Sequence, residues 1–311
     1  MSTFVVPPKM KLAYENFRYL ADTSSFHVAE ATTCGSHQKH VIRLFDRTKG
    51  YANKNFAQAA SLFVQELLRL QYRCPGSVLI NTFEISENAD QIACATLPYI
   101  PLNRQLDESK GALNIAEPKV IEKILNDILC DVEFLTKDFQ LSNIESIITP
   151  ENICYLNAKG DFFLTNWAKI CDKNEAENVS TKPSLSYEEM EKKKLTSQDL
   201  AAEIKALALA ILKIKKMDVE ELEFLLASPK VKPSTYNSVV ESTIAEAFKD
   251  SQKLYNLIER MLSRDPQGLP NLEEMKLKGD KIEKIKSDMG SKKVRFEESK
   301  DNLSTTLILG N

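Results

Sequence analysis

The sequence predicts an α+β chain built as two lobes: a small β-rich lobe with one helix, then a larger, mainly α lobe. Three observations predict it. Short runs rich in β-branched and aromatic residues are concentrated in the first hundred residues. Two prolines, Pro98 and Pro101, punctuate the chain where those runs stop, and read as a hinge. Beyond them, apolar residues recur mostly at the three- and four-residue spacing of helices. The expected boundaries are an N-terminal arm at 1–13, a first lobe at 14–100, a second lobe at 101–278 and a polar tail at 279–311.

Each element follows from local chemistry. Residues 1–13 read as an extended arm, because Pro7-Pro8 argues against helix. Phe26-His27-Val28-Ala29 and Val41-Ile42-Arg43-Leu44-Phe45 read as strands, joined by a polar turn from Thr32 to Lys39. Residues 55–71 carry Phe56, Ala59, Ala60, Phe63, Leu67 and Leu70 at helical spacing, with Asn55 as a candidate cap. Strands from Val78 to Ile85 and from Gln91 to Leu97 flank a turn at Ser86–Asp90. A long amphipathic helix is expected over 118–137, carrying Val120, Ile124, Leu125, Ile128 and Leu135. A hairpin follows, Asn152–Leu156 with Asp161–Thr165, turning at Asn157–Gly160. Residues 173–197 are polar and read as a mobile loop. Residues 198–216 are so rich in Ala, Leu and Ile that a buried helix is expected. Further helices are expected at 218–227, 237–248 and 251–263, before a Lys/Glu/Ser-rich tail.

Bulk composition narrows the function classes. The chain has 311 residues, 43% hydrophobic and 27% charged, which is ordinary for a globular protein. A net charge of −3 gives no reason to expect nucleic acid or an anionic membrane as partner. No apolar run reaches about 18 residues, so no membrane insertion is expected. The first residues lack the cationic start of a signal peptide. The six cysteines, at 34, 74, 94, 130, 154 and 171, form no disulfide-like framework and point to a reducing cytoplasm. A cytoskeletal or ciliary assembly is one alternative location.

Several motifs then carry a resemblance. Thr149-Pro150-Glu151-Asn152 leads into the apolar run Ile153-Cys154-Tyr155-Leu156. Met261-Leu262-Ser263-Arg264-Asp265-Pro266 is followed by Leu272-Glu273-Glu274-Met275, and residues 203–212 form one apolar helix. Val41-Ile42-Arg43 precedes a helix bearing Glu66, and Cys74-Pro75 follows it. Across roughly residues 14–275 the chain resembles the protein kinase superfamily. Phe134-Leu135-Thr136-Lys137-Asp138 and the pattern of departures are similar to the Scy-like pseudokinases. The resemblance implies a two-lobed, protein-kinase-like fold.

It also implies where phosphoryl transfer would need its parts: a phosphate cradle, a lysine, a base and metal-holding positions. The glycine-rich loop falls on residues 21–28, where Ala21, Thr23 and Phe26 stand in place of glycines. Their side chains hold a backbone away from phosphates. Asp22 would add charge repulsion if it faced the same space. Arg43 stands at the lysine position, where a longer, planar cation is not a conservative exchange. It could still pair with Glu66. Ile147 stands at the base position and cannot accept a proton. Thr149 replaces the phosphate-contacting lysine. Asn166-Trp167-Ala168 replaces D-F-G, so Asn166 brings no charge to a magnesium ion. Asn152 alone is unchanged. No A-P-E motif closes residues 166–190, and Leu269 stands where its arginine partner would be. The resemblance therefore implies no catalytic residue, no resident metal and no cofactor, with ATP as the one nucleotide left open.

Smaller signals have two readings each. Lys292-Lys293-Val294-Arg295-Phe296 resembles the docking motif of protein phosphatase-1 partners, in which Val294 and Phe296 would fill two pockets beside a sheet edge. A solvated tail is the other reading. Cys34, His37 and His40 could ligate zinc, or form a hairpin turn. Trp167 is either a core aromatic or a plug in the nucleotide pocket. The charge run from Glu188 to Lys194 reads as a solvated face.

The expected function is that of a non-catalytic scaffold or interaction subunit of a larger assembly, with other proteins as partners. A degenerate nucleotide-binding switch, or a weak atypical Ser/Thr kinase built on Arg43, Glu66, Asn152 and Asn166, is the alternative. A phosphatase-1 targeting subunit is the third.

Overall fold

The computed structural model describes residues 6–22, 26–46, 52–73, 82–85, 91–96, 100–102, 117–156, 161–172, 195–228, 230–276, 294–298 and 305–309. Expectations for Thr23, Cys74-Pro75, the turns at 86–90 and 157–160, Pro98, Lys293, and most of the 173–197 loop with its charge run lie outside these residues.

The first lobe is a five-stranded antiparallel sheet and one long helix. Its strands are β1 (Tyr14–Asp22), β2 (Phe26–Thr33), β3 (Lys39–Asp46), β4 (Thr82–Ile85) and β5 (Gln91–Thr96), in the order β1-β2-β3-β5-β4. Gly35, at φ +82, and His37, at φ +54, turn the β2–β3 hairpin inside the predicted polar segment.

Period-two alternation divides the sheet into two faces. Phe26, Arg43, Phe45, Ile92 and Cys94 point to one side, and Ala29, Ala31, Ile42, Leu44, Ala93 and Ala95 to the other. On the first face lies α2 (Ala52–Arg73), which buries Ala59, Ala60, Phe63, Leu67 and Leu70. Burial of each large side chain contributes about 1.5–3 kcal/mol. The helix begins three residues before the expected start, so Asn55 lies inside it and is not its cap.

The second face corrects the expectation of an extended arm. A short helix, α1 (Pro8–Ala13), precedes β1, with Pro8 in its first turn. A first-turn proline loses no intrahelical hydrogen bond and brings a helical φ, so Pro7-Pro8 starts this helix rather than preventing it. Met10 is fully buried against the alanines of the second face.

The lobes meet where a hinge was expected. Ile100–Pro101 (β6) pairs with β7 (Ile153–Leu156), which pairs with β8 (Asp161–Leu164). The second lobe contains α3 (Pro118–Asp138), α4 (Ala201–Ile214), α5 (Glu220–Ala227), α6 (Pro233–Ala247), α7 (Gln252–Met261) and α8 (Leu272–Met275). The predicted helices are present with shifted ends, the largest shift being at α6, which starts four residues early on Pro233. One apolar core runs through both lobes, from Phe26 and Phe63 past Trp167 and Ile147 to Ile258 and Met275. The architecture is a two-lobed α+β arrangement.

In the tail, β9 (Val294–Glu298) and β10 (Thr305–Leu309) form an antiparallel ribbon, and β9 runs beside α2. Among the described residues, no helix is long and apolar enough to cross a membrane.

Candidate functional site

The inner face of the first lobe places Arg43 opposite α2. Its Nη1 donates to Glu66 Oε1 at 2.7 Å, and the two side chains are 3% and 0% exposed. The guanidinium carbon lies 5.5 Å from the centre of the Phe26 ring and 5.2 Å from that of Phe63. Those rings are 4.8 Å apart, and Phe45 completes the cluster. Arginine suits this place because a flat, weakly hydrated cation packs on aromatic faces as an ammonium does not. Phe26 is the first residue of β2, and its ring fills the space beside the ion pair.

Glu66 has a second partner. Its Oε2 accepts the backbone N–H of Trp167 at 2.9 Å. Trp167 is 1% exposed, donates its ring N–H to Leu164 O at 2.7 Å, and packs 6.0 Å from the Phe134 ring. It is a core aromatic between the lobes.

The segment from Ile144 to Asn152 is closed on itself. Ile147 ends a short 3-10 turn (Ile144–Ile147) and is fully buried. Its carbonyl accepts the Thr149 N–H at 2.9 Å and Asn152 Nδ2 at 3.0 Å. Thr149 O in turn accepts the N–H groups of Asn152 and Ile153, both at 3.0 Å, which fixes the turn into β7. Asn166 Nδ2 donates to Asn152 Oδ1 at 3.4 Å, and Asn166 holds φ +67, a left-handed conformation that asparagine tolerates. The two asparagines are thus bridged by an amide hydrogen bond. Thr165 adds its N–H, at 2.8 Å, and its hydroxyl, at 3.0 Å, to Asn152 O. Two thiols lie nearby. Burial pushes the Cys154 thiol up to about 12 and raises that of Cys94.

Arg43, Glu66, Phe26, Ile147, Thr149, Asn152 and Asn166 therefore converge between the lobes. Ala21 lies on β1, opposite Val28. Val294 and Phe296 lie on β9, opposite Leu309 and Leu307, far from this cluster in sequence. The three candidate zinc ligands do not converge, since Cys34 and His37 are exposed in the hairpin turn while His40 is buried beneath Tyr14.

A buried ionic network was not anticipated. Arg73, the last residue of α2, bonds Asp131 of α3 at 2.7 Å and Phe162 O at 2.9 Å. Asp131 and Asp127 accept the N–H groups of Leu164 and Phe162, each at 3.0 Å. Lys123 bridges Asp127 at 3.0 Å and Asp161 at 2.8 Å. Burial opposes the charge on Arg73, but Asp131 and Asp127 outweigh it and raise its pKa. The sequence held one sign of this: Asp127 and Asp131 fall within the apolar stripe of α3.

No family model matches the sequence, and no curated protein matches it. Among solved structures, the chain is similar to a crystal structure of the protein kinase Rad53 1-466 in complex with AMP-PNP. The TM-score is 0.47 at 12% identity, over 84% of this chain and 62% of that one. The chain therefore spans less than two thirds of the length of the chain that it matches.

Proposed function

We propose that this protein is a pseudokinase: a kinase-like, non-catalytic interaction or scaffold subunit of a larger assembly. The observation that carries the reading is Ile147. It stands at the base position, is fully buried, and has its carbonyl engaged by Asn152. A general base must reach the proton that it removes, and a buried alkyl chain does neither part of that task. Phe26 against Arg43, and Asn166 against Asn152, support the reading by filling the cradle and metal positions with protein contacts.

A second reading is favoured by the Arg43–Glu66 pair at 2.7 Å, which would be available to a degenerate nucleotide-binding switch or a weak atypical kinase. A thermal melt with and without Mg-ATP separates the two. A bound nucleotide at a hundred times its dissociation constant stabilises by about 2.7 kcal/mol. No shift at millimolar Mg-ATP is expected. A shift that Arg43→Ala abolishes would overturn the first reading in favour of the second. Phosphatase-1 targeting through Val294 and Phe296 is a narrower form of the interaction role. It predicts capture of the phosphatase by the wild-type chain but not by Val294→Ala/Phe296→Ala.

A further inference from the structure

We propose that α2 is a fixed strut and that the segment Phe162–Trp167 is the keystone against which it locks the two lobes into one rigid body. This goes beyond the scaffold reading and does not depend on it.

The geometry rests on one face of α2. Glu66, Arg69 and Arg73 are three and four residues apart, so they line the same side of the helix. All three reach into one layer. Glu66 holds the Trp167 N–H at 2.9 Å. Arg69 lies 4.2 Å over the Phe134 ring, which itself packs on Trp167. Arg73 holds Asp131 at 2.7 Å and Phe162 O at 2.9 Å. Along the same edge α3 holds this short segment too, through Asp127 to the Phe162 N–H and Asp131 to the Leu164 N–H. The Asp131 carboxylate is 1% exposed; its Oδ1 takes Arg73 and lies 3.7 Å from Arg69 Nε, so an outward swing of α2 removes both cations, and its Oδ2 takes the Leu164 N–H.

An outward swing of α2 therefore separates Glu66 from Trp167 and Arg73 from Asp131 in the same step. The second loss leaves a carboxylate buried without its arginine, which is the costly way to break such a pair. Neither anchor yields alone, so the helix has one position rather than two. A surface built on such a body is preorganised for a partner and loses little freedom on binding.

Amide exchange followed by NMR tests this, with emission from Trp167, the only tryptophan of the chain, as a second readout. In the wild-type protein, the amides of α2 residues 59–70 and of Phe162, Leu164 and Trp167 are expected to open together, with one common dependence on urea. Arg73→Met is expected to speed exchange at Trp167 at least tenfold and to shift its emission to the red. Lys253→Ala, which removes a surface ion pair with Glu122, is expected to change neither. Faster exchange at Phe162 and Leu164 with Trp167 unchanged would show two independent anchors and overturn the proposal. If Arg73→Met does not fold, the wild-type urea series decides by itself, because separate slopes for α2 and Trp167 overturn the proposal and a common slope supports it.

Discussion

Glu66 reaches 101 residues along the chain: one carboxylate oxygen accepts the Trp167 N–H at 2.9 Å while the other takes Arg43 at 2.7 Å. Strand β3, helix α2 and the segment that follows β8 therefore meet at one buried side chain. An ion pair of this kind stabilises little relative to an apolar replacement, but removing one partner is expensive.

Arg43→Met is accordingly expected to destabilise the protein by about 3–5 kcal/mol, because it leaves Glu66 buried without its cation. Adding Glu66→Leu is expected to recover only part of that. The Trp167 N–H then loses its acceptor, an orphaned donor worth about 1–3 kcal/mol. Urea unfolding followed by Trp167 emission measures both. A loss below about 1 kcal/mol for Arg43→Met would mean that water reaches Glu66 and that the site is not dry.

His40 gives the fold a dependence on pH. It is fully buried on the outer face of the sheet, with the Tyr14 ring edge-on at 5.1 Å and neither ring nitrogen bonded to a described residue. Burial lowers its pKa from 6.5. The unfolded chain then binds a proton that the folded chain does not, so this contribution is intact above about pH 6.5 and is lost as pH falls towards the folded value. Between pH 7.5 and 5.5, wild-type stability is expected to fall more than that of His40→Leu. Parallel pH profiles for the two proteins would refute this assignment.

The sequence made some of this legible and hid the rest for physical reasons. The 3.6-residue spacing of Ala59, Phe63, Leu67 and Leu70 reports one buried face, and α2 packs on that face. The Arg43–Glu66 pair was legible through the kinase resemblance, which supplied both positions. Helix α1 was not, because proline prevents helix everywhere except the first turn, and the sequence does not say where the first turn is. The aromatic sandwich around Arg43 needs the register of β2 on β3, which brings Val28 opposite Arg43 and leaves Phe26 on the same face two residues away. Arg73 and Asp131 are 58 residues apart, and no local pattern links them. Only the misfit of Asp131 within an apolar stripe marked it as paired.

Glu203, near the start of α4, is expected to act in the opposite direction to His40. It is buried, and burial raises its pKa above 4.5, with the nearby charge of Glu145 adding to the effect against the bond from its own backbone N–H. Its charged form is therefore disfavoured in the folded protein, so stability from this group is fully present below about pH 4.5 and is lost as pH rises through its folded value. Glu203→Gln is expected to melt higher than the wild type at pH 7, with the gap narrowing at pH 5. A lower melting temperature for the variant at pH 7 would show that the carboxylate makes a contact worth more than its burial costs.

The cysteines can report whether the two lobes open together. Cys94 lies on β5 beside Arg43, and Cys154 on β7 within hydrogen-bond reach of the Thr165 hydroxyl at 3.8 Å. Both are buried, with thiols raised by burial, whereas Cys34 is exposed in the β2–β3 turn. Only a thiolate that solvent can reach is alkylated. At pH 8, peptide mapping of these two and of Cys34 and Cys130 is expected to find Cys34 modified first of the four, and Cys130, half-buried with its pKa raised, more slowly. Cys94 and Cys154 are expected to stay unmodified until the protein unfolds. Because they stand in different lobes, their rates carry more information than either alone. A shared core predicts that both become reactive at the same urea concentration. Early modification of Cys94 with Cys154 still protected would instead mean that the sheet lobe opens while the helical lobe stays folded.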